Sequence, residues 1–255
     1  MMSFLAAFRF LTSIPIPVMR EDWNRPLTQQ QFARSLVYYP LVGLILGGVL
    51  SVLYWILSSL LPLLLTDALI IGALAYLTGA LHLDGLIDTF DGLAGGHRSP
   101  ERRLQIMKTP DVGAVGVVAG IVMLLLQFAA LASVPQSHIY ISLFLMPVLS
   151  RWAMAYAVFR YPYGRENGMG KELKSGSNNW VLPIATISAF IFAVIIGGWL
   201  GLIVMAAVWL LTVLFAAFFK SKFNGLTGDT YGSINEMTEF AVLLLIVLFS
   251  FNNWL

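Results

Sequence analysis

Long apolar runs, divided by short polar segments, organise this chain. Leu36 to Leu60 is the first run. Thr66 to Leu83 is the second, after a break at Leu61-Pro62. Gly113 to Val134 and Ile139 to Phe159 are the third and fourth. Runs this long, without strand-like alternation, predict helices long enough to cross a bilayer. Val181 to Phe219 continues for about forty residues, roughly twice what one crossing needs. The pair Gly197-Gly198 near its middle predicts a fold-back, giving spans five and six. Phe240 to Leu255 predicts a shorter seventh span, with Trp254 as an interfacial anchor. The segment Met1 to Val18 is apolar but carries Arg9, Pro15 and Pro17. It reads as an interfacial or re-entrant helix and not as a cleaved leader.

Composition agrees with that pattern. Hydrophobic residues make up 58% of the 255 positions and charged residues only 11%, against about 25% charged in a soluble domain. So few charges cannot cover a globular surface, and most of the surface must face membrane lipid. One all-α polytopic domain over residues 1–255 is the simplest organisation. The net charge of +2 gives no footprint for nucleic acid. The absence of cysteine excludes thiolate metal sites and thiol catalysis.

Placement of the basic residues orients the chain. Arg20, Arg25 and Arg34 precede span one. Arg98, Arg102, Arg103 and Lys108 fall between spans two and three. Arg160, Arg165, Lys171 and Lys174 lie between four and five, and Lys220 and Lys222 between six and seven. With seven spans, every basic loop lies on one face, which the positive-inside rule makes cytoplasmic. The N-terminus is then cytoplasmic and the C-terminus outside.

Two segments on that face carry carboxylates. Asp84, Asp88 and Asp91 stand at i, i+4 and i+7. On a helix continuing from span two they share one side, where like charges repel by about a few tenths of a kcal/mol per pair. A divalent cation offsets that repulsion. Oxygen donors without His or Cys select Mg²⁺, Ca²⁺ or Mn²⁺. Placed after a span, these acids occupy the wrong helix end for a macrodipole role. Gly85 and Gly92 each follow an aspartate and leave room for a bulky polar group. A second set, Asp229, Glu236 and Glu239, precedes span seven. For the two glutamates, complementing a helix N-terminus is an equal alternative.

Arg102, Arg103 and Lys108 suit phosphate oxygens but also satisfy the positive-inside rule. Arg151 falls inside span four and must meet a carboxylate or a phosphate. His82, a lone histidine at a span boundary, reads as structural, and His97 and His138 as loop residues. No Ser-His-Asp arrangement and no Gly-Lys-Ser/Thr phosphate loop is present. Clustered carboxylates with a basic loop point to phosphoryl or nucleotidyl transfer, in which metals clamp the attacking and leaving oxygens. A cation-coupled transporter is the rival from another class.

Several motifs resemble one family. Arg9-Phe10-Leu11-Thr12-Ser13-Ile14-Pro15-Ile16-Pro17 and Tyr39-Pro40-Leu41-Val42-Gly43 open the match. His82-Leu83-Asp84-Gly85-Leu86-Ile87-Asp88-Thr89-Phe90-Asp91-Gly92 is its strongest piece. Arg102 to Lys108, Gly113, Gly116, Arg165 to Gly170 and Gly228-Asp229 complete it. In order and spacing the chain resembles the cobalamin synthases, also called adenosylcobinamide-GDP ribazoletransferases, over nearly its whole length. It departs from the family pattern at Thr109, Pro110 and Asp111.

The resemblance implies transfer of adenosylcobinamide phosphate from adenosylcobinamide-GDP to α-ribazole or its 5′-phosphate, with release of GMP. It implies Mg²⁺ and a bacterial or archaeal cytoplasmic (inner) membrane, with the site facing the cytoplasm. Asp84, Asp88 and Asp91 are then expected as catalytic residues and metal ligands, completed by Asp229, Glu236 and Glu239. Asp88 doubles as a candidate base. Arg102, Arg103, Lys108, Arg151 and Arg165 are expected at the diphosphate. Another Mg²⁺-dependent membrane phosphotransferase, of the CDP-alcohol type, is the nearer alternative, and an oligomer remains open.

Overall fold

The computed structural model describes residues 2–15, 28–95, 99–166, 168–176 and 178–251. They form the helices α1 (Met2–Leu11), α2 (Gln29–Arg34), α3 (Tyr39–Ser58), α4 (Leu63–Leu77), α5 (Leu81–Gly95) and α6 (Pro100–Ile106). After these come α7 (Ala114–Ser133), α8 (Ile139–Arg160), α9 (Met169–Ser175), α10 (Val181–Phe223) and α11 (Gly228–Phe251). Short 3₁₀ turns at Ser35–Tyr38 and Gln136–His138 lead into α3 and α8. The chain is an all-helical, multi-pass membrane protein. Five stretches of described helix are long and apolar enough to cross a membrane, and the bent pair α4–α5 makes a sixth. Trp55, Leu64, Ile195 and Trp199 are among many large apolar side chains left exposed on these helices, as a lipid-facing surface requires.

The bundle is built around α8, the most enclosed of the long helices. It packs against α3, α10 and α11. Its contact with α3 depends on small residues. A Cβ on Gly43 would lie 2.2 Å from the Pro147 carbonyl oxygen, and one on Gly47 2.9 Å from that of Leu143. Pro147 has no N–H to give Leu143, four residues back, and that free carbonyl lies against Gly47. In lipid, where apolar burial drives little helix association, such close backbone approach is what holds helices together.

The predicted fold-back is present within α10. Gly198 has φ 53° and ψ −129°, a conformation open to glycine alone at little cost. A Cβ on Gly201 would lie 2.0 Å from the Ala193 carbonyl oxygen. Eight residues along a straight helix are about 12 Å apart, so the chain reverses at Gly198.

Two expected boundaries are corrected. Span two ends at Leu77, not Leu83. Thr78 to Ala80 form a turn, with φ 61° at Gly79 and 54° at Ala80, and α5 leaves at 87° to α4. The three aspartates therefore ride on a separate helix. Asp84 sits in its first turn, the end that favours an anion. The last helix begins at Gly228, twelve residues before the apolar run. Thr227 and Thr230 cap its start reciprocally, through Thr230 N–H to Thr227 Oγ1 (3.2 Å) and Thr227 N–H to Thr230 Oγ1 (2.7 Å). Trp254 and the basic residues Arg20, Arg25 and Arg98 lie outside the described residues.

Candidate functional site

The crossing of α5 with α11 creates the site. A Cβ on Gly85 would lie 2.8 Å from the Asp229 carbonyl oxygen, and one on Gly232 2.9 Å from that of His82. The room beside Gly85 is thus filled by the neighbouring backbone, not by a polar ligand, and that beside Gly92 by Met107. The Ser233 hydroxyl sits between the helices, 3.2 Å from the Gly85 carbonyl and 3.1 Å from that of Asp229. This tight crossing brings Asp84 and Asp88 of α5 up to Asp229 of α11. Asp88 faces the charges of Asp84, Asp229 and Asp91 and the Arg165 guanidinium. Among the described residues, Asp84 and Asp88 accept no hydrogen bond, and Asp84 is exposed.

Arg165 enters from the loop between α8 and α9. Its Nη2 donates to Asp229 Oδ2 at 2.6 Å. Backbone pairing holds that loop to the one preceding α11: Gly164 N–H donates to the Leu226 carbonyl and Leu226 N–H to the Pro162 carbonyl, both at 2.8 Å. Gly168 and Gly170 lie directly against the Tyr163 ring, where a Cβ would intrude at 2.3 and 2.4 Å. Burial raises the Tyr163 phenol above its ordinary value, so it remains a donor at neutral pH.

Two cavities flank Arg165. One, of about 340 Å³, runs between α5, α8 and α11, with Asp84, Asp229 and Arg165 at its polar end. The other, of about 330 Å³, is more open and is lined by Lys108, Gln105, Glu101 and Glu166.

The remaining expected residues divide by place. Asp91 is buried, and both carboxylate oxygens are engaged: Oδ2 accepts from Gly113 N–H at 2.6 Å and Oδ1 from Gly116 N–H at 2.7 Å. It caps the first turn of α7 across space, and the two glycines are where its carboxylate fits. Glu236 and Glu239 stand two to three turns inside α11, away from the helix mouth. They belong to an enclosed cluster. Arg151 pairs with Glu239 Oε1 and Ser150, Asn235 donates to Glu239 at 3.0 Å, and Gln127 donates to Glu236 at 2.9 Å. Arg151 is 0% exposed. The carboxylate expected beside it is Glu239, and it does not line the cavity holding Asp84. Of the loop bases, Arg103 caps α10 through the Lys222 carbonyl at 2.9 Å, while Arg102 is exposed beside Gln105. Thr109 and Asp111 are exposed.

Among the described residues, no three His, Asp or Glu side chains converge closely enough to hold an ion unaided. Mg²⁺ is usually held by one or two carboxylates, with water and substrate phosphates completing its shell. Asp84 and Asp88, which accept no hydrogen bond among the described residues, and Asp229, whose Oδ2 is engaged by Arg165, form an all-oxygen set that fits that chemistry. Glu236 and Glu239, already saturated and enclosed, do not.

His82, read from the sequence as structural, and Tyr163 and Tyr231, which the sequence did not single out, all line the first cavity. His82 adjoins the aspartate motif. The two tyrosines each lie two residues from Arg165 or Asp229, and nothing in spacing alone distinguishes them from interfacial aromatics.

Fold and site define a membrane-embedded helical protein with an acidic, arginine-bearing cavity suited to phosphate chemistry. The family described as Cobalamin-5-phosphate synthase matches residues 3–247, and the chain belongs to that family. A relative from Roseiflexus sp. (strain RS-1), named adenosylcobinamide-GDP ribazoletransferase, is 36% identical over 95% of this chain and 88% of its own. One of the same name from Pseudomonas savastanoi pv. phaseolicola is 38% identical over 97% of this chain and 100% of its own. Another, from Desulforamulus reducens, is 36% identical over 96% of each. No solved structure matches the chain.

Proposed function

We propose that this protein transfers adenosylcobinamide phosphate from adenosylcobinamide-GDP to α-ribazole or its 5′-phosphate, releasing GMP. The observation that carries the proposal is the meeting of Asp84, Asp88 and Asp229 with Arg165 where two cavities adjoin. The relatives bear the name of this activity.

Asp84, Asp88 and Asp229 would hold Mg²⁺, which neutralises charge on the diphosphate. Arg165, poised beside Asp229, pairs with a phosphate oxygen, and Lys108 in the open cavity meets the departing GMP. A ribose hydroxyl other than the 5′ one, which is already esterified when the acceptor is the 5′-phosphate, attacks the phosphorus that bears the cobinamide. The bond from that phosphorus to the oxygen bridging to the GMP phosphorus breaks, and the hydroxyl proton passes to a site carboxylate. Positioning and charge stabilisation do most of the work in such displacements. Asp91 supports the site from behind by fixing α5 to α7.

The site faces the cytoplasm of the cell membrane in this proposal, with the N-terminus on the same side. Arg103, Lys108, Arg160, Arg165, Lys220 and Lys222 sit in or beside the loops at that end of the bundle. Nothing about the enclosed Arg151–Glu239 pair resembles a transport path, since the space beside Glu236 and Glu239 is about 10 Å³, room for one water at most. The test is incubation of purified protein with adenosylcobinamide-GDP, α-ribazole and Mg²⁺. GMP and a cobalamin are expected from the wild type, and neither from Asp84→Ala. A wild type that yields no GMP ends the proposal. A reporter after residue 255 is expected outside the cytoplasm, and signal inside it reverses the topology.

A further inference from the structure

The cavity between α5, α8 and α11 contains more than its acidic end. Its far wall is apolar, built from Phe10, Leu81, Met154, Val158 and Leu173. Set into that wall are two polar side chains without partners. His82 is 2% exposed and Tyr231 3% exposed. Both ring nitrogens of His82 and the hydroxyl of Tyr231 find no hydrogen-bond partner among the described residues. Buried polar groups are nearly always paired. Two orphans lining one cavity mark a place where a ligand completes them.

Size and chemistry narrow that ligand. At about 340 Å³ the cavity lies near the lower end of the range for small-molecule sites, about 300–1,000 Å³. A corrin ring with its side chains is far too large. Of the two nucleosides in the proposed reaction, guanosine carries a ring edge crowded with donors and acceptors, which an apolar wall would leave unpaired. The base of α-ribazole is a dimethylated benzimidazole, flat, apolar and without exocyclic polar groups. Its ribose is the polar part, and the ribose hydroxyl that attacks must reach the acids.

We infer that this cavity is the acceptor-nucleoside site: the benzimidazole lies against Met154, Val158 and Leu173, and His82 and Tyr231 hydrogen-bond its ribose hydroxyls. The inference rests on the ribazole-transferase function proposed above. It directs the attacking ribose hydroxyl toward Asp84 and Asp229 and leaves the open cavity beyond Arg165 for the GDP part of the donor. His82 and Tyr231 are then specificity-determining residues, not metal ligands.

Filling the cavity tests the idea. Val158→Phe is expected to raise the KM for α-ribazole at least tenfold while leaving that for adenosylcobinamide-GDP within twofold. A ribazole lacking both ring methyl groups should recover most of the loss, because it vacates the space the phenyl ring takes. Tyr231→Phe should raise the same KM severalfold without altering the preference between the two bases. A rise confined to adenosylcobinamide-GDP, or no change in either KM, overturns the assignment. Direct labelling covers the case of a misfolded variant. A photoreactive α-ribazole bearing a diazirine on its benzimidazole should label wild-type peptides containing Met154–Val158 or Leu173, and labelling confined elsewhere overturns the assignment. Binding of radiolabelled α-ribazole to the wild type, without donor, separates the two proposals. Saturable binding lost in Val158→Phe supports the cavity even if no GMP is ever released. Equal binding by both proteins rejects the cavity even if turnover is normal.

Discussion

Gly85→Ala adds one methyl group at the narrowest point of the α5–α11 crossing. That carbon would lie 2.8 Å from the Asp229 carbonyl oxygen and 2.9 Å from its Cα, against about 3.4 Å for ordinary contact. Both opposing atoms belong to backbone, so no rotamer change relieves them, and the helices must part by roughly 0.6 Å. Overpacking of this kind costs about 1–3 kcal/mol. Alanine's higher helix propensity returns about 1 kcal/mol, so the loss of stability is modest. The effect on chemistry is larger. Asp84 and Asp88 move away from Asp229, and a misplacement of about 1 Å can cost about 100-fold in rate. The expected result is a fall in kcat of roughly tenfold to 100-fold, with a melting temperature in detergent only a few degrees lower. GMP release and thermal unfolding measure the two quantities separately. Gly72→Ala is the control, because a Cβ there meets nothing within 4 Å, and its kcat should equal that of the wild type. A Gly85→Ala protein within twofold of wild-type kcat would refute the claim that this crossing sets the spacing of the carboxylates.

Three further outcomes are expected. Asp91→Ala should lower stability by about 1–2 kcal/mol, as loss of a helix cap does, whereas Asp84→Ala should abolish turnover with no change in melting temperature. The reverse pattern would make Asp91 the reacting-site residue and Asp84 the structural one. Arg151→Met should destabilise by about 3–5 kcal/mol, because it leaves Glu239 buried and unpaired, and adding Glu239→Leu should restore most of it; a double variant no better than the single one contradicts the ion-pair assignment. Chelation with EDTA should stop GMP release and added Mg²⁺ restore it, with a higher Mg²⁺ requirement in Asp88→Asn. Undiminished activity in EDTA removes the metal from the proposal.

Much of this architecture was legible because bilayer thickness imposes a length. The α10 run was twice too long and held Gly197-Gly198, so the reversal at Gly198 followed. The break before α5 was not legible. Ala80 is a strong helix former, and only the packed structure reveals its positive φ. The start of α11 was misplaced for a related reason. Hydropathy detects the face turned to lipid, but Gly228 to Glu239 are polar residues satisfied inside the protein. Asp84, Asp88 and Asp229 stood out through their spacing and charge. Arg151 announced that it needed a counter-charge, but its partner lies 88 positions away in Glu239, and no pattern within one helix could name it. Asp91 shared the spacing of its neighbours while serving a different purpose. One face of a helix can meet a cavity at one turn and another helix's N-terminus two turns later.

The backbone bridge between Gly164 and Leu226 has a mechanical meaning. Arg165 directly follows one side of it, and Asp229 lies three residues past the other. Tied at the main chain and again through their side chains, the two loops form one connected piece. The cation and the carboxylate are thus set side by side before any substrate arrives.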